Sequence, residues 1–258
     1  MWTLARRPLD RERYVRHDLR APVPSDVLPG RLDAIVHCAA AVHERDRSYD
    51  VVDDNVRAAY HLAALARERD AQVVVHLSSI AVYFGGPATG AIGEDAPLAP
   101  VSTYGLAKVL VETLLSAAVP AARVSHLRLA YVLAPVMPER YFVVRVARRL
   151  AAGEPVEIVN GDSTRLSFIE VADIARTCAR AIEQAAAGAF NLVADDRPTP
   201  RAVIAAIAEH HPESASERRE ADRPEERIAR RYDTTRAKAL LGRDRIGDPL
   251  AAIRAARL

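Results

Sequence analysis

Lysine is almost missing from this chain. Lys108 and Lys238 are its two lysines, against thirty-four arginines. Cysteine is equally scarce: Cys38 and Cys178 lie far apart in apolar segments. That spacing offers no metal-ligand pattern and no disulfide framework. Both are expected to be buried free thiols of a reducing compartment. No apolar run reaches the roughly 18 residues of a membrane span, and no signal-peptide pattern is visible. A cytoplasmic protein without a membrane partner is the expectation. Net charge is only +2, and the arginines are interleaved with acids. Nucleic acid is therefore not the expected partner, and the Arg-rich stretch 218–231 reads as a solvated face. Internal repeats and low-complexity tracts are absent.

What remains is a 258-residue chain, half hydrophobic, sized for one large α/β domain or two small ones. Short apolar runs alternate with amphipathic stretches. Residues 33–40, 72–78 and 123–132 read as buried strands. Residues 49–69 and 103–118 read as helices, the second capped by Ser102 or Thr103. Between them, residues 85–100 hold four glycines and three prolines and read as loop. Further on, helices are expected over 141–152, 171–185, 200–209 and 234–241, and strands over 156–159 and 189–193. Gly153 and Gly242 close two of these helices. Strands alternating with helices predict a parallel sheet covered on both faces.

One lysine stands at an informative place. Lys108 follows Tyr104 by four residues, one helical turn, a pairing that chance would produce about 0.06 times in such a chain. A chain that otherwise uses arginine keeps a compact ammonium here. Such a group can hold a phenol near its deprotonation point, ready to pass a proton at neutral pH. Ser78 and Ser79 end the strand 25 residues earlier, and strand ends of parallel sheets are where such folds place their chemistry. His37, His76 and His126 lie within strands and read as packed residues rather than ligands or bases. No metal site is expected.

These segments resemble the extended short-chain dehydrogenase/reductase family, which includes NAD(P)-dependent nucleotide-sugar epimerases, dehydratases and ketoreductases. The similarity runs from Asp33-Ala-Ile-Val-His-Cys-Ala-Ala40 through Asn55-Val56, Leu77-Ser-Ser79, Glu94, Ser102-Thr-Tyr-Gly-Leu-Ala-Lys108 and Glu112. It continues through Leu127-Arg-Leu-Ala-Tyr-Val-Leu-Ala-Pro135, Arg165 to Asp173, Asn191, Arg223-Pro-Glu-Glu226 and Asp233 to Gly242. Ala134 departs from the family's usual glycine.

The resemblance implies Tyr104 as catalytic acid/base, Ser79 as hydrogen-bond partner of the reacting oxygen, and Lys108 on the nicotinamide ribose. It implies a cofactor groove lined by Arg6, Arg7, Asp18, Leu19, Ala39, Ala40, Asn55, Ser78 and Leu129, with Tyr104 and Lys108. Tyr83, Arg165 and Arg223 are implied on the substrate side, the arginines on its diphosphate. Asn55 also reads as a structural hydrogen-bonder and Tyr83 as part of the wall.

One family feature is missing from the sequence. No Gly-x-x-Gly-x-x-Gly turn, which cradles the cofactor pyrophosphate at a helix N-terminus, occurs in it. Residues 2–8 resemble the family's second strand. The reading is therefore a Rossmann-like doubly wound parallel sheet lacking its first strand-turn-helix, left open in the middle or closed by rearrangement. An N-terminally clipped copy and a degenerate paralogue are the two explanations. Residues 1–135 with 165–195 are expected to form the NAD(P)-binding domain, and 136–164 with 196–258 a small α/β substrate lobe. Arg6 and Arg7, with no acid before Asp10, favour NADP. The expected function is an oxidoreductase or epimerase acting on a nucleotide-linked sugar, as a homodimer through helices 49–69 and 103–118. Dehydration ranks last, because no acidic pair follows Ser79. A non-catalytic nucleotide or partner binder and a reductase of small carbonyl compounds are the alternatives.

Overall fold

The structure is a computed structural model describing residues 1–10, 12–24, 26–42, 49–119, 123–214 and 216–258. In chain order it comprises β1 (Thr3–Ala5), β2 (Tyr14–Arg16), β3 (Ala34–His37), α1 (Asp50–Glu68) and β4 (Val73–Ser79). A 3-10 turn (Ile80–Tyr83) leads to β5 (Ala91–Ile92), α2 (Thr103–Ala118), β6 (Val124–Leu129) and β7 (Tyr131–Leu133). Then come α3 (Phe142–Ala151), β8 (Val156–Val159), β9 (Phe168–Glu170), α4 (Val171–Glu183), β10 (Gly188–Leu192) and α5 (Pro200–Ala208). The chain finishes with β11 (Arg218–Ala221), a further 3-10 turn (Pro224–Glu226), β12 (Arg231–Tyr232), α6 (Thr235–Leu241) and α7 (Pro249–Ala255).

Packing divides the chain into two units. The first contains Met1–Gly86, Pro97–Arg128 and Cys178–Phe190; the second contains Pro87–Ala96, Leu129–Thr177 and Asn191–Leu258. Each takes about half of the residues, so the second unit is not the small lobe expected from sequence. It gathers segments 87–96, 129–135, 165–177 and 191–195, which the sequence reading grouped with the first domain. The reason is local pairing. β5 pairs with β12 and β7 with β9, and these short parallel ladders draw the loop and the strand continuation into the second unit.

In the first unit the main sheet runs β10-β6-β4-β3, and β3 pairs with β4 in parallel, with His37 opposite His76. The apolar run of β4 is buried along both faces, as a doubly covered parallel strand requires. α1 and α2 pack their small and aliphatic faces over it: Ala59, Leu62, Ala63 and Ala66 meet Val111, Leu115, Val74 and Val124. Among the described residues β1 and β2 form a sheet of their own, leaving β3 as an edge with Val36 39% exposed. Of the two expectations for the sheet's middle, the open one holds. The second unit has its own core, where Val143, Val146 and Leu150 of α3 and Val203, Ile204 and Ile207 of α5 pack with Ile253 of α7.

Candidate active site

The site is built where β4 ends. Ser79 leaves the strand in extended conformation, and its hydroxyl accepts from Ala81 N at 3.1 Å, capping the 3-10 turn. α2 starts over this turn. Ser102 caps it by accepting from Gly105 N at 3.0 Å. Gly105 is required there: a Cβ would come within 2.8 Å of the Ala81 carbonyl oxygen. The glycine inside Tyr-Gly-Leu-Ala-Lys thus lets the helix seat its first turn against the serine-bearing turn.

That seating delivers the two motif side chains. Tyr104 is half-buried in the first turn of α2. Lys108, one turn on, is 3% exposed; its Nζ donates to Leu77 O at 2.6 Å and lies 5.7 Å from the centre of the Tyr104 ring. Burial pushes the Lys108 ammonium down to about 8, opposed first by the Glu112 carboxylate and less by Cys38.

Below it lies a polar network that sequence reasoning had only brushed. Glu112 Oε1 accepts from Ser78 Oγ at 2.5 Å. Arg128 of β6 grips the same carboxylate, with Nη2 on Oε2 at 2.7 Å and Nε on Oε1 at 3.1 Å, and its Nη1 donates to the Tyr83 hydroxyl. Ser78, Tyr83, Glu112 and Arg128 are all buried. The Ser78 hydroxyl is committed to this network, and Tyr83 is 1% exposed with the Arg128 guanidinium over its ring.

Asn55 also has a different occupation. Its Oδ1 accepts from Ala41 N at 3.2 Å, and its Nδ2 donates to Ala41 O and Val51 O, so its amide fixes the chain leaving β3 instead of reaching a cofactor. That exit is open: Cys38, Ala39 and Ala40 are exposed, which corrects the expectation of a buried Cys38 at the strand's end. Cys178 is buried as expected, and burial pushes its thiol up to about 12. Asp18 holds Arg20 through contacts of 2.7–3.2 Å, which pull its carboxyl down to about 2. Leu19 is half-buried beside it, and Arg6 and Arg7 are exposed just past β1. Leu129 closes β6 and is buried.

The histidines form a row across three strands. His37 stacks on His76 at 5.5 Å between ring centres, and His76 meets His126 edge-on at the same separation. His76 Nδ1 lies 3.3 Å from His126 Nδ1, so one must donate and the other accept. His126 Nε2 reaches the Ser116 hydroxyl at 2.9 Å. Burial drives all three imidazoles below their ordinary range, His37 to about 4. The unfolded chain then binds protons that the folded chain refuses between pH 6.5 and 4, so stability falls as pH drops through that window. His37 alone accounts for on the order of 3 kcal/mol. Urea denaturation at pH 7.5 and pH 5 samples part of that window and is expected to show a loss of about 2 kcal/mol from His37, and His37→Asn to shrink it. Equal stability at both pH values would refute the neutral row.

In the second unit, Arg165 Nη1 donates to Asp162 O at 2.7 Å and Thr164 O at 3.1 Å. Arg223 Nη2 donates to both oxygens of Glu157 at 2.8 and 2.9 Å. A residue that the sequence reading missed takes the more suggestive place. Arg197 donates to Arg230 O at 2.5 Å, and burial together with the nearby Arg231 and Arg165 lowers its guanidinium. Among the described residues, none of Arg165, Arg197 and Arg231 is paired with a carboxylate. Glu94 and Asn191, family matches 97 positions apart, form a buried staple in which Glu94 Oε1 accepts from Asn191 N at 3.0 Å. No group of three metal-ligating side chains occurs among the described residues, and no helix there is long and apolar enough to cross a membrane.

A strand-end serine, a Tyr-x-x-x-Lys turn and an open exit of small residues on a parallel sheet define a class. The chain belongs to the NAD dependent epimerase/dehydratase family, whose model matches residues 4–193. It is 31% identical over 195 residues to a dTDP-4-dehydro-6-deoxy-D-allose reductase of Streptomyces bikiniensis, an alignment covering 68% of this chain and 59% of that protein. The chain therefore spans well under two thirds of that reductase. Its fold matches MoeE5 in complex with UDP-glucuronic acid and NAD, with a TM-score of 0.82, 24% identity and coverage of 98% and 88%. It also matches UDP-glucuronic acid 4-epimerase from Bacillus cereus in complex with NAD, with a TM-score of 0.80, 18% identity and coverage of 95% and 79%.

Proposed function

We propose that the chain works as an NAD(P)-dependent oxidoreductase or epimerase on a nucleotide-linked sugar. The observation that carries this reading is the buried Lys108, seated on the Leu77 carbonyl beside the Tyr104 ring. The residues at the sheet end fit the nicotinamide half of the cofactor: the exposed Cys38-Ala39-Ala40 exit presents no bulky side chain, and the Lys108 ammonium suits a ribose hydroxyl. When bound, the nicotinamide supplies or accepts the hydride. Tyr104 gives a proton to the substrate's carbonyl oxygen, or takes one from the alcohol, and Ser79 steadies that oxygen. Lys108 stabilises the phenolate and shifts the Tyr104 proton toward transfer. Arg6 and Arg7 favour the 2′-phosphate of NADP over the plain ribose.

For the diphosphate, Arg165 and Arg197 are the better pair, because both keep guanidinium donors that no carboxylate holds among the described residues. Titrating the chain with NADPH and NADH by nicotinamide fluorescence, then with UDP- and dTDP-sugars, tests the reading. NADPH is expected to bind more tightly. Arg197→Ala is expected to weaken nucleotide-sugar binding about tenfold or more, and Arg223→Ala to weaken it less. Failure to bind any dinucleotide would favour the second reading, a non-catalytic binder. The outer faces of α1 and α2 expose Tyr60, Leu106 and Leu110, and a homodimer through them is part of the proposal. Light scattering on the purified chain checks it, and a monomer at tens of micromolar would remove that part.

A further inference from the structure

We infer that Glu112 is the counter-ion and anchor of Lys108, a positioning residue that keeps the buried ammonium charged and seated on the Leu77 carbonyl. The argument begins with the helix. Lys108 and Glu112 are one turn apart on α2, so both project toward the end of β4. There they hold consecutive residues: Lys108 takes the carbonyl of Leu77 at 2.6 Å, and Glu112 takes the hydroxyl of Ser78 at 2.5 Å. The next residue is Ser79. Two adjacent grips thus fix the register of the helix carrying Tyr104 against the strand end carrying the serine.

Charge makes the second half of the case. Lys108, Glu112 and Arg128 are 3%, 5% and 5% exposed. The Tyr104 ring centre lies 5.7 Å from the ammonium, and the titratable groups electrostatically coupled to it are Glu112 on α2, His37 and Cys38 at β3, and His76 on β4. Those facing Glu112 are Ser78 on β4, and Arg128 and His126 on β6. Burial keeps the histidines neutral, so one carboxylate serves two cations. A buried ionic network is not the most stable filling for such a place, since packed apolar residues do as well or better. Its retention under the Tyr104–Lys108 turn fits a task in setting charge. Arg128 orients the carboxylate bidentately, which leaves Glu112 a fixed negative charge rather than a mobile one.

The scarcity of lysine makes the test direct. A chain labelled with 13C at lysine Cε gives two signals, Lys108 and Lys238, the latter paired with Asp195 at 2.5 Å in the second unit as an internal control. Lys238→Arg assigns them. In Glu112→Gln the Lys108 midpoint is expected to fall by about one unit or more, with Lys238 unmoved. Glu112→Asp, which restores the charge, should return most of the shift. Because Glu112→Gln strands Arg128 and can fail to fold, Glu112→Gln/Arg128→Met serves beside it. Removing Arg128 takes away a like charge, so it works against the expected fall, and a fall in the double variant belongs to Glu112. A Lys108 midpoint within a few tenths of a unit of the wild type in folded Glu112→Gln, or a double variant whose midpoint is no lower than that of Arg128→Met alone, would overturn the assignment. The consequence for catalysis, a matching downward move of the alkaline limb of kcat/KM, rests on the proposed function. The NMR midpoint does not, so an inactive chain leaves the inference open to test.

Discussion

Tyr104→Phe is expected to lower turnover by about 10²- to 10⁴-fold, the range attributable to one positioned acid/base group. The substitution removes only the hydroxyl. The aromatic ring, and with it the 5.7 Å packing against the Lys108 ammonium, is retained. Lys108 keeps its Leu77 carbonyl and Glu112 keeps Ser78, so the seating of α2 on the end of β4 is retained. Dinucleotide affinity should therefore stay within a few-fold of the wild type while kcat collapses. Single-turnover hydride transfer, followed at the nicotinamide absorbance, separates the two quantities. A Phe variant with near wild-type kcat would remove Tyr104 from the reaction and return the search to Ser79 and its surroundings.

The elements that could be read from sequence share a physical signature: each is long enough for its apolar period to repeat. α2 lies at the expected residues 103–118, with Ser102 as the working cap, because aliphatic residues recur at helical spacing and a cap precedes them. β8 falls on 156–159, and α1 and β4 within a residue of expectation. The expected strand over 123–132 proved to be two, β6 and β7, broken at Ala130. Composition gives no warning of that break, because the residues on both sides are apolar. α7 escaped notice because seven residues carry too few turns to show a period, although Asp248 caps it and Pro249 opens it. The three-residue β9 and the two-residue β5 and β12 owe their existence to partners distant in sequence.

The same division runs through the site. Ser79, Tyr104 and Lys108 could be read because their spacing is local or motif-bound. The Glu112–Arg128 pair could not, since no periodicity links a helix residue to a strand 16 positions on. Arg223 was read as a phosphate ligand by its motif, but its guanidinium depends on where Glu157 lies, 66 positions away. Arg197 sat in a stretch with no motif. Only the fold shows it beside two other cations.

That long-range pair carries the largest stability effect expected in this chain. Arg128→Met strips Glu112 of its guanidinium and leaves a carboxylate 5% exposed with a serine hydroxyl as its nearest remaining donor. Breaking a buried pair from one side costs about 3–5 kcal/mol, because the surviving charge has neither water nor partner. Removing the charge as well, in Glu112→Gln/Arg128→Met, should recover a large part of that loss, since an amide can still accept from Ser78 and the methionine fills the apolar volume of the guanidinium stem. Hydrogen exchange at the amides of β4 and β6 places the effect in the first unit, and urea denaturation gives its size. A loss under about 1 kcal/mol for Arg128→Met would mean that water reaches the carboxylate. In that case Glu112 would be too well screened to govern Lys108, and the lysine's charge would have to be explained by the surrounding dipoles alone, since desolvation holds the Cys38 thiol protonated.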